Sequence, residues 1–123
     1  MELKIIQKIK GSPEEVYRAL TNPFTIQLWT DEPAIMEEKA GTDFSIFSGN
    51  ITGRNVEFIP NQLIRQIWYF DSLESEVLIK IFPDKARTRI IVEQTGVPEE
   101  AYENILKGWK ESYLGPLTDF FEA

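Results

Sequence analysis

The sequence predicts an α+β fold in which a curved antiparallel sheet of about six or seven strands wraps around a long C-terminal helix. Two capped short helices near the N-terminus, a stretch of period-two alternation from Glu32 to Thr95, and a return to a 3.6-residue period after Pro98 predict it. A chain of 123 residues fits one domain, taken here as 1–123, and an apolar content of 42% is ample for its core.

Leu3, Ile5 and Ile9 alternate with charged residues, as a half-buried first strand should. In Ser12-Pro13-Glu14-Glu15, Ser12 can cap a helix, Pro13 suits its first position and Glu15 can close a capping box. Val16 and Leu20 then share one helix face, with Tyr17 beside them. Asn22-Pro23 repeats the cap-plus-proline signal, and Phe24, Leu28 and Trp29 mark the expected buried side of a second short helix.

From Glu32 onward, turn chemistry at Ala40-Gly41-Thr42, Ser48-Gly49-Asn50, Ile59-Pro60-Asn61-Gln62, Asp71-Ser72 and Pro83-Asp84-Lys85 punctuates short strands at meander spacing. Phe44 and Ile46 share one face. So do Ile64, Trp68 and Phe70; then Val77, Ile79 and Ile81; then Thr88, Ile90 and Val92. The apolar phase slips between Ile51 and Val56-Phe58, and a bulge or bend at Gly53 is the expected cause, one that would curve the sheet. After Gly96-Val97-Pro98, Tyr102, Leu106, Trp109, Tyr113, Leu117 and Phe120 form an apolar stripe. Pro116 is expected to kink or break that helix. A sheet with one apolar face and a helix with one apolar stripe must cover each other.

The residue inventory excludes much. A net charge of −7 opposes a nucleic-acid partner and docking on anionic membrane surfaces. Without cysteine there is no disulfide, thiolate nucleophile or cysteine metal site. Without histidine the usual general base near neutral pH and the commonest zinc ligand are missing, so catalysis would rest on a carboxylate or tyrosine. No metal-ligand spacing and no phosphate-cradling glycine loop is present, so no metal or cofactor is expected. The first residues lack the apolar core of a signal peptide, and nowhere do roughly eighteen apolar residues run together, so a cytoplasmic location is expected. Adjacent pairs such as Glu14-Glu15 and Glu99-Glu100 suit helix starts. Arg65, Arg87 and Arg89 read as a solvated sheet face, and Asn50-Ile51-Thr52 as turn chemistry rather than a glycosylation site.

Ser12-Pro13-Glu14-Glu15-Val16-Tyr17, Gly49-Asn50-Ile51-Thr52-Gly53, Pro60 with Trp68, and Gly96-Val97-Pro98 followed by Gly108-Trp109 resemble, in order and spacing, the C-terminal domain of the activator of heat-shock-protein-90 ATPase. The resemblance covers essentially the whole chain and places it in the START-like, birch-pollen-allergen-like superfamily of helix-grip folds. It implies a hydrophobic cavity between sheet and long helix that binds an apolar small molecule. It also implies a second role, as a co-chaperone module meeting a heat-shock-protein-90-type chaperone, although the likeness is to the C-terminal half of that two-domain activator only. Some superfamily members are enzymes; without histidine this chain is expected not to be one.

Trp29, Phe44, Trp68, Trp109 and Tyr113 are the rings expected to line such a cavity, with Ile64, Ile79 and Ile90 from the same sheet faces; the alternative is that they simply fill the core. Gln66 shares the parity of Ile64 and Trp68, and a buried amide there must bond either the backbone or a ligand, the backbone being the simpler expectation.

Overall fold

The computed structural model describes residues 1–122. The elements run β1 (Leu3–Lys10), α1 (Pro13–Thr21), α2 (Pro23–Thr30), β2 (Asp43–Ile46), β3 (Ile51–Ile59), β4 (Leu63–Phe70), β5 (Leu73–Asp84) and β6 (Arg87–Thr95). The C-terminal helix is continuous but built of three pieces: α3 (Tyr102–Gly108), a π-helical turn (Trp109–Leu114) and α4 (Gly115–Glu122). The six strands form one curved antiparallel sheet in the order β1-β6-β5-β4-β3-β2, with the C-terminal helix on one face and two short helices after β1.

Local chemistry accounts for the start of each short helix. Ser12 Oγ accepts from the Glu15 amide at 3.1 Å while Glu15 returns a carboxylate to the Ser12 amide at 3.0 Å. That second bond holds the Glu15 carboxyl below the ordinary carboxylate range. Asn22 Oδ1 accepts from the amides of Phe24 (2.9 Å) and Thr25 (3.1 Å), so one residue ends α1 and caps α2. The buried side of α2 differs from expectation. Ile26 and Trp29 face inward, whereas Phe24 and Leu28 are 75% and 69% exposed. Four-residue spacing puts Phe24 and Leu28 on one face, but the neighbouring stripe faces the core.

The sheet bears out the expected faces. Ile64, Trp68, Val77, Ile79, Ile81, Ile90 and Val92 are buried, together with Phe44 and Ile46 on β2. The bulge lies two to three residues beyond its expected place. Pairing of β3 with β4 slips between Asn55 and Glu57, so Val56 is the extra residue and inward positions pass from 51, 53 and 55 to 58. Gly53 itself pairs regularly, and its role is close approach: a Cβ there would stand 2.0 Å from the Ile67 carbonyl oxygen and 2.8 Å from the Phe44 ring.

Pro116 also behaves differently. In a regular helix it would leave the Ser112 carbonyl without its donor and press its ring against that group. The chain widens the preceding turn instead. The Gly115 amide reaches the Lys110 carbonyl, five residues back, and α4 then runs on through Pro116. The irregularity therefore precedes the proline, and π-turns of this kind are common beside functional sites.

On the outer face, Arg65 pairs with Glu57 (3.3 Å) and Glu76 (2.8 Å) and Arg89 lies over the Phe82 ring, while Arg87, at the start of β6, reaches Glu122 at the end of the C-terminal helix (3.2 Å). Asn50 closes the turn from Phe47, its amide bonding the Phe47 carbonyl at 3.1 Å.

Candidate functional site

Between the sheet and the C-terminal helix lies a half-open cleft of about 380 Å³, within the size range of small-molecule sites. Strands β3 and β4 contribute Ile51, Trp68 and Phe70. The turn between β2 and β3 contributes Phe47 and Asn50. The helix contributes Ile105, Gly108, Trp109, Ser112 and Tyr113, and Glu32, just past α2, completes the wall. Five rings and one carboxylate thus meet in one space.

Trp68 and Trp109 stack with centroids 4.7 Å apart and planes 17° from parallel. Tyr113 packs against Trp109 at 4.6 Å and against Trp29 at 5.3 Å. Such pairs contribute about 0.5–1.5 kcal/mol each beyond burial. Both indole N–H groups are used by the protein. Trp68 Nε1 donates to Gln66 Oε1 (2.9 Å), Gln66 Nε2 to Asn55 Oδ1 (2.9 Å), and Asn55 Nδ2 to the Glu37 carbonyl (3.2 Å). Trp109 Nε1 donates to Gln94 Oε1 (2.7 Å), Gln94 Nε2 to Ser75 Oγ (3.0 Å), and Ser75 to the Thr95 carbonyl. Two buried amide relays on the inner sheet face therefore fix both rings and leave a ligand no indole donor. Gln66 bonds two side chains rather than the backbone as expected.

Tyr113 is different. Among the described residues its hydroxyl has no hydrogen-bond partner, and burial raises its pKa well above the usual phenol range. It remains a neutral donor at any physiological pH. Glu32, half-buried, likewise has a side chain without a partner among the described residues. The polar residues on the cleft wall are thus Glu32, Asn50, Ser112 and Tyr113.

The turn at the cleft wall is conformationally unusual. Phe47 and Ser48 both lie in the left-handed region (φ 54° and 55°), followed by Gly49 at φ 90°. Phe47 is held there by an edge contact with Trp29 at 5.8 Å and by Tyr113 at 6.1 Å. A non-glycine residue in this conformation costs about 1–2 kcal/mol, so the packing that presents Phe47 to the cleft also holds a strained backbone.

Of the nine residues expected at the cavity, Trp68, Trp109 and Tyr113 line the cleft. Trp29 sits behind Phe47 and Tyr113, its Nε1 donating to the Ala19 carbonyl at 2.7 Å. Phe44 is packed beside Gly53, and Ile64, Ile79 and Ile90 are sealed in the core. Phe47, Ile105 and Glu32 were not expected at the cavity from sequence, and Phe70 only as a neighbour on the Trp68 face. Phe47, Phe70 and Glu32 lie at or just past element ends, where no periodicity reports which way a side chain turns, and Ile105 lies inside α3 but off the stripe of Tyr102, Leu106 and Trp109.

A second depression, near 490 Å³, lies between α1 and the segment before β2 and is about equally polar and apolar. Tyr17 donates to Glu38 Oε2 there at 2.6 Å; burial and then that bond hold its proton tightly.

Comparison with known proteins places this geometry. The family described as Activator of Hsp90 ATPase homolog 1-like protein matches residues 10–122. The chain belongs to that family. A Dictyostelium discoideum relative named activator of 90 kDa heat shock protein ATPase homolog is 30% identical over 124 residues, covering 97% of this chain but 32% of the relative. The human homolog 1 is 27% identical over 114 residues, covering 89% of this chain and 34% of its own length. This chain thus spans about a third of the length of the curated relatives it matches. Among solved structures, an HSP90 activator from Plasmodium falciparum superposes with a TM-score of 0.90 at 21% identity, covering 99% of this chain and 96% of that one. The Aha1 dimer from Colwellia psychrerythraea gives 0.86 at 18% identity, with 99% and 96% covered. These likenesses establish the helix-grip fold. Among the described residues, no helix of this family member is long and apolar enough to cross a membrane.

Proposed function

We propose that this Hsp90-activator-family domain is a non-enzymatic binding module whose cleft between sheet and C-terminal helix holds an apolar small molecule. The carrying observation is the aromatic wall of Phe47, Trp68, Phe70, Trp109 and Tyr113 around about 380 Å³ left unfilled. A half-open cleft of this size, walled by five rings and a stacked indole pair, has the dimensions and lining of a small-molecule site. Burying about 200 Å² of ligand surface gains roughly 5 kcal/mol before ordering costs, which corresponds to a Kd of about 0.2 mM at best. A Cβ at Gly108 would meet no atom within 4 Å, so Gly108→Leu is the cleft-filling control. Titration with bicyclic aromatic compounds should move the indole N–H resonances of Trp68 and Trp109 in the native protein and not in Gly108→Leu. Unmoved resonances at millimolar ligand, or equal shifts in the variant, defeat the reading.

Family membership favours a second reading, in which the domain docks a heat-shock-protein-90-type chaperone and modulates its ATPase. Support comes from relatives named as Hsp90 activators and from three exposed apolar side chains, Phe24, Leu28 and Ile35, on α2 and the segment that follows. The test is chaperone ATPase rate with and without this chain, repeated with Phe24→Ser/Leu28→Ser. An unchanged rate together with no detectable complex rules it out.

A further inference from the structure

We infer that the ligand of the cleft is an apolar cation, an amine or ammonium whose ring or chain lies among the aromatic residues and whose charged head meets Glu32. This rests on the small-molecule reading above and adds the charge of the ligand to it. Glu32 is the one side chain on the cleft wall with a formal charge, and no lysine or arginine lines it. Lys107 and Lys110 of the C-terminal helix are exposed and do not line the cleft, Lys107 lying 3.9 Å from Glu111. The Glu32 carboxylate makes no ion pair or side-chain hydrogen bond among the described residues.

The other groups on the wall point the same way. Both indole N–H groups are bound to Gln66 and Gln94, so an anion would find only neutral hydroxyl and amide donors on the wall and no cation. The Ser112 hydroxyl, the Asn50 carbonyl oxygen and the Tyr113 oxygen can all accept from an N–H head group. Tyr113 keeps its proton and adds no charge of its own. A fatty or aromatic carboxylate would bring its charge beside Glu32 with no cation between them, and the net charge of −7 opposes it further. Aromatic rings attract a cation through their quadrupole, so the wall that accepts the apolar body also favours the charged head.

The test uses three compounds with one skeleton: phenylbutylamine, phenylbutanol and phenylbutyrate. Each is titrated into the full chain, followed by tryptophan fluorescence and by the Trp68 and Trp109 indole resonances. The amine should bind about fivefold to tenfold more tightly than the alcohol, and the carboxylate more weakly than either. Glu32→Gln should abolish the preference for the amine over the alcohol; Gly108→Leu should weaken all three. Equal binding of amine and alcohol, or an amine preference that survives Glu32→Gln, overturns the cation inference while Gly108-sensitive binding of the alcohol preserves the ligand reading. No binding by any of the three at millimolar concentration overturns both.

Discussion

Replacing Gly53 by alanine should be among the most damaging single-methyl additions this fold can receive. The new Cβ would stand 2.0 Å from the Ile67 carbonyl oxygen and 2.8 Å from Phe44 Cε1, where ordinary contact begins near 3.4 Å. The nearest obstacle is backbone of the adjacent strand, since Gly53 pairs with Trp68 in β4 and with Phe44 in β2. Rotating a side chain cannot relieve it, and Phe44 is itself buried. The strands must part by more than an ångström, which costs about 1–3 kcal/mol in overpacking and about 1 kcal/mol for each ladder bond lost. Against this, alanine gains about 0.5–1 kcal/mol over glycine in chain entropy. The clash wins, leaving a net loss of about 2–4 kcal/mol, a large part of a typical stability of 5–15 kcal/mol. Urea unfolding followed by tryptophan fluorescence reads this as a midpoint lowered by about 1–3 M, given slopes of about 1–3 kcal/mol/M for small domains. Gly108→Ala is the matched control: nothing lies within 4 Å of its Cβ, so it should stabilise the helix by about 1 kcal/mol. If Gly53→Ala stays within about 0.5 kcal/mol of the parent, the size expected of a neutral surface change, the close-approach argument is wrong.

Gln94→Leu leaves the Trp109 N–H and Ser75 without their partner, and should cost about 2–4 kcal/mol in the same assay; a neutral result would mean the relay does not fix the ring. Ser48→Gly relieves a left-handed residue at φ 55° and should raise stability by about 0.5–1 kcal/mol despite the added chain entropy. Alkaline stability should fall once pH exceeds the unfolded phenol value near 10. Burial raises the Tyr113 pKa in the native state, so above that pH the unfolded chain binds fewer protons and the slope is negative, by up to about 1.4 kcal/mol per pH unit. Tyr113→Phe should remove that share of the slope, and an unchanged profile would show that Tyr113 is not the group responsible.

The elements whose signals are local were legible in the chain. The Ser12 capping box, the Asn22-Pro23 cap and the alternation of β4 to β6 depend on neighbours in sequence, and each formed where expected. With one apolar sheet face and one apolar helical stripe, mutual burial left few architectures, and the grip followed. Tertiary structure decided the rest. Phe24 and Leu28 have the right spacing to be buried, yet Ile26 and Trp29 won the core side because α2 contributes only one face and its orientation is set by what it packs on. The bulge moved to Val56 because Gly53 was needed flat against β4. The cleft itself is a difference between two surfaces that fail to meet. Its walls come from residues as far apart as Glu32 and Tyr113, and no periodicity within one element can report a gap between several.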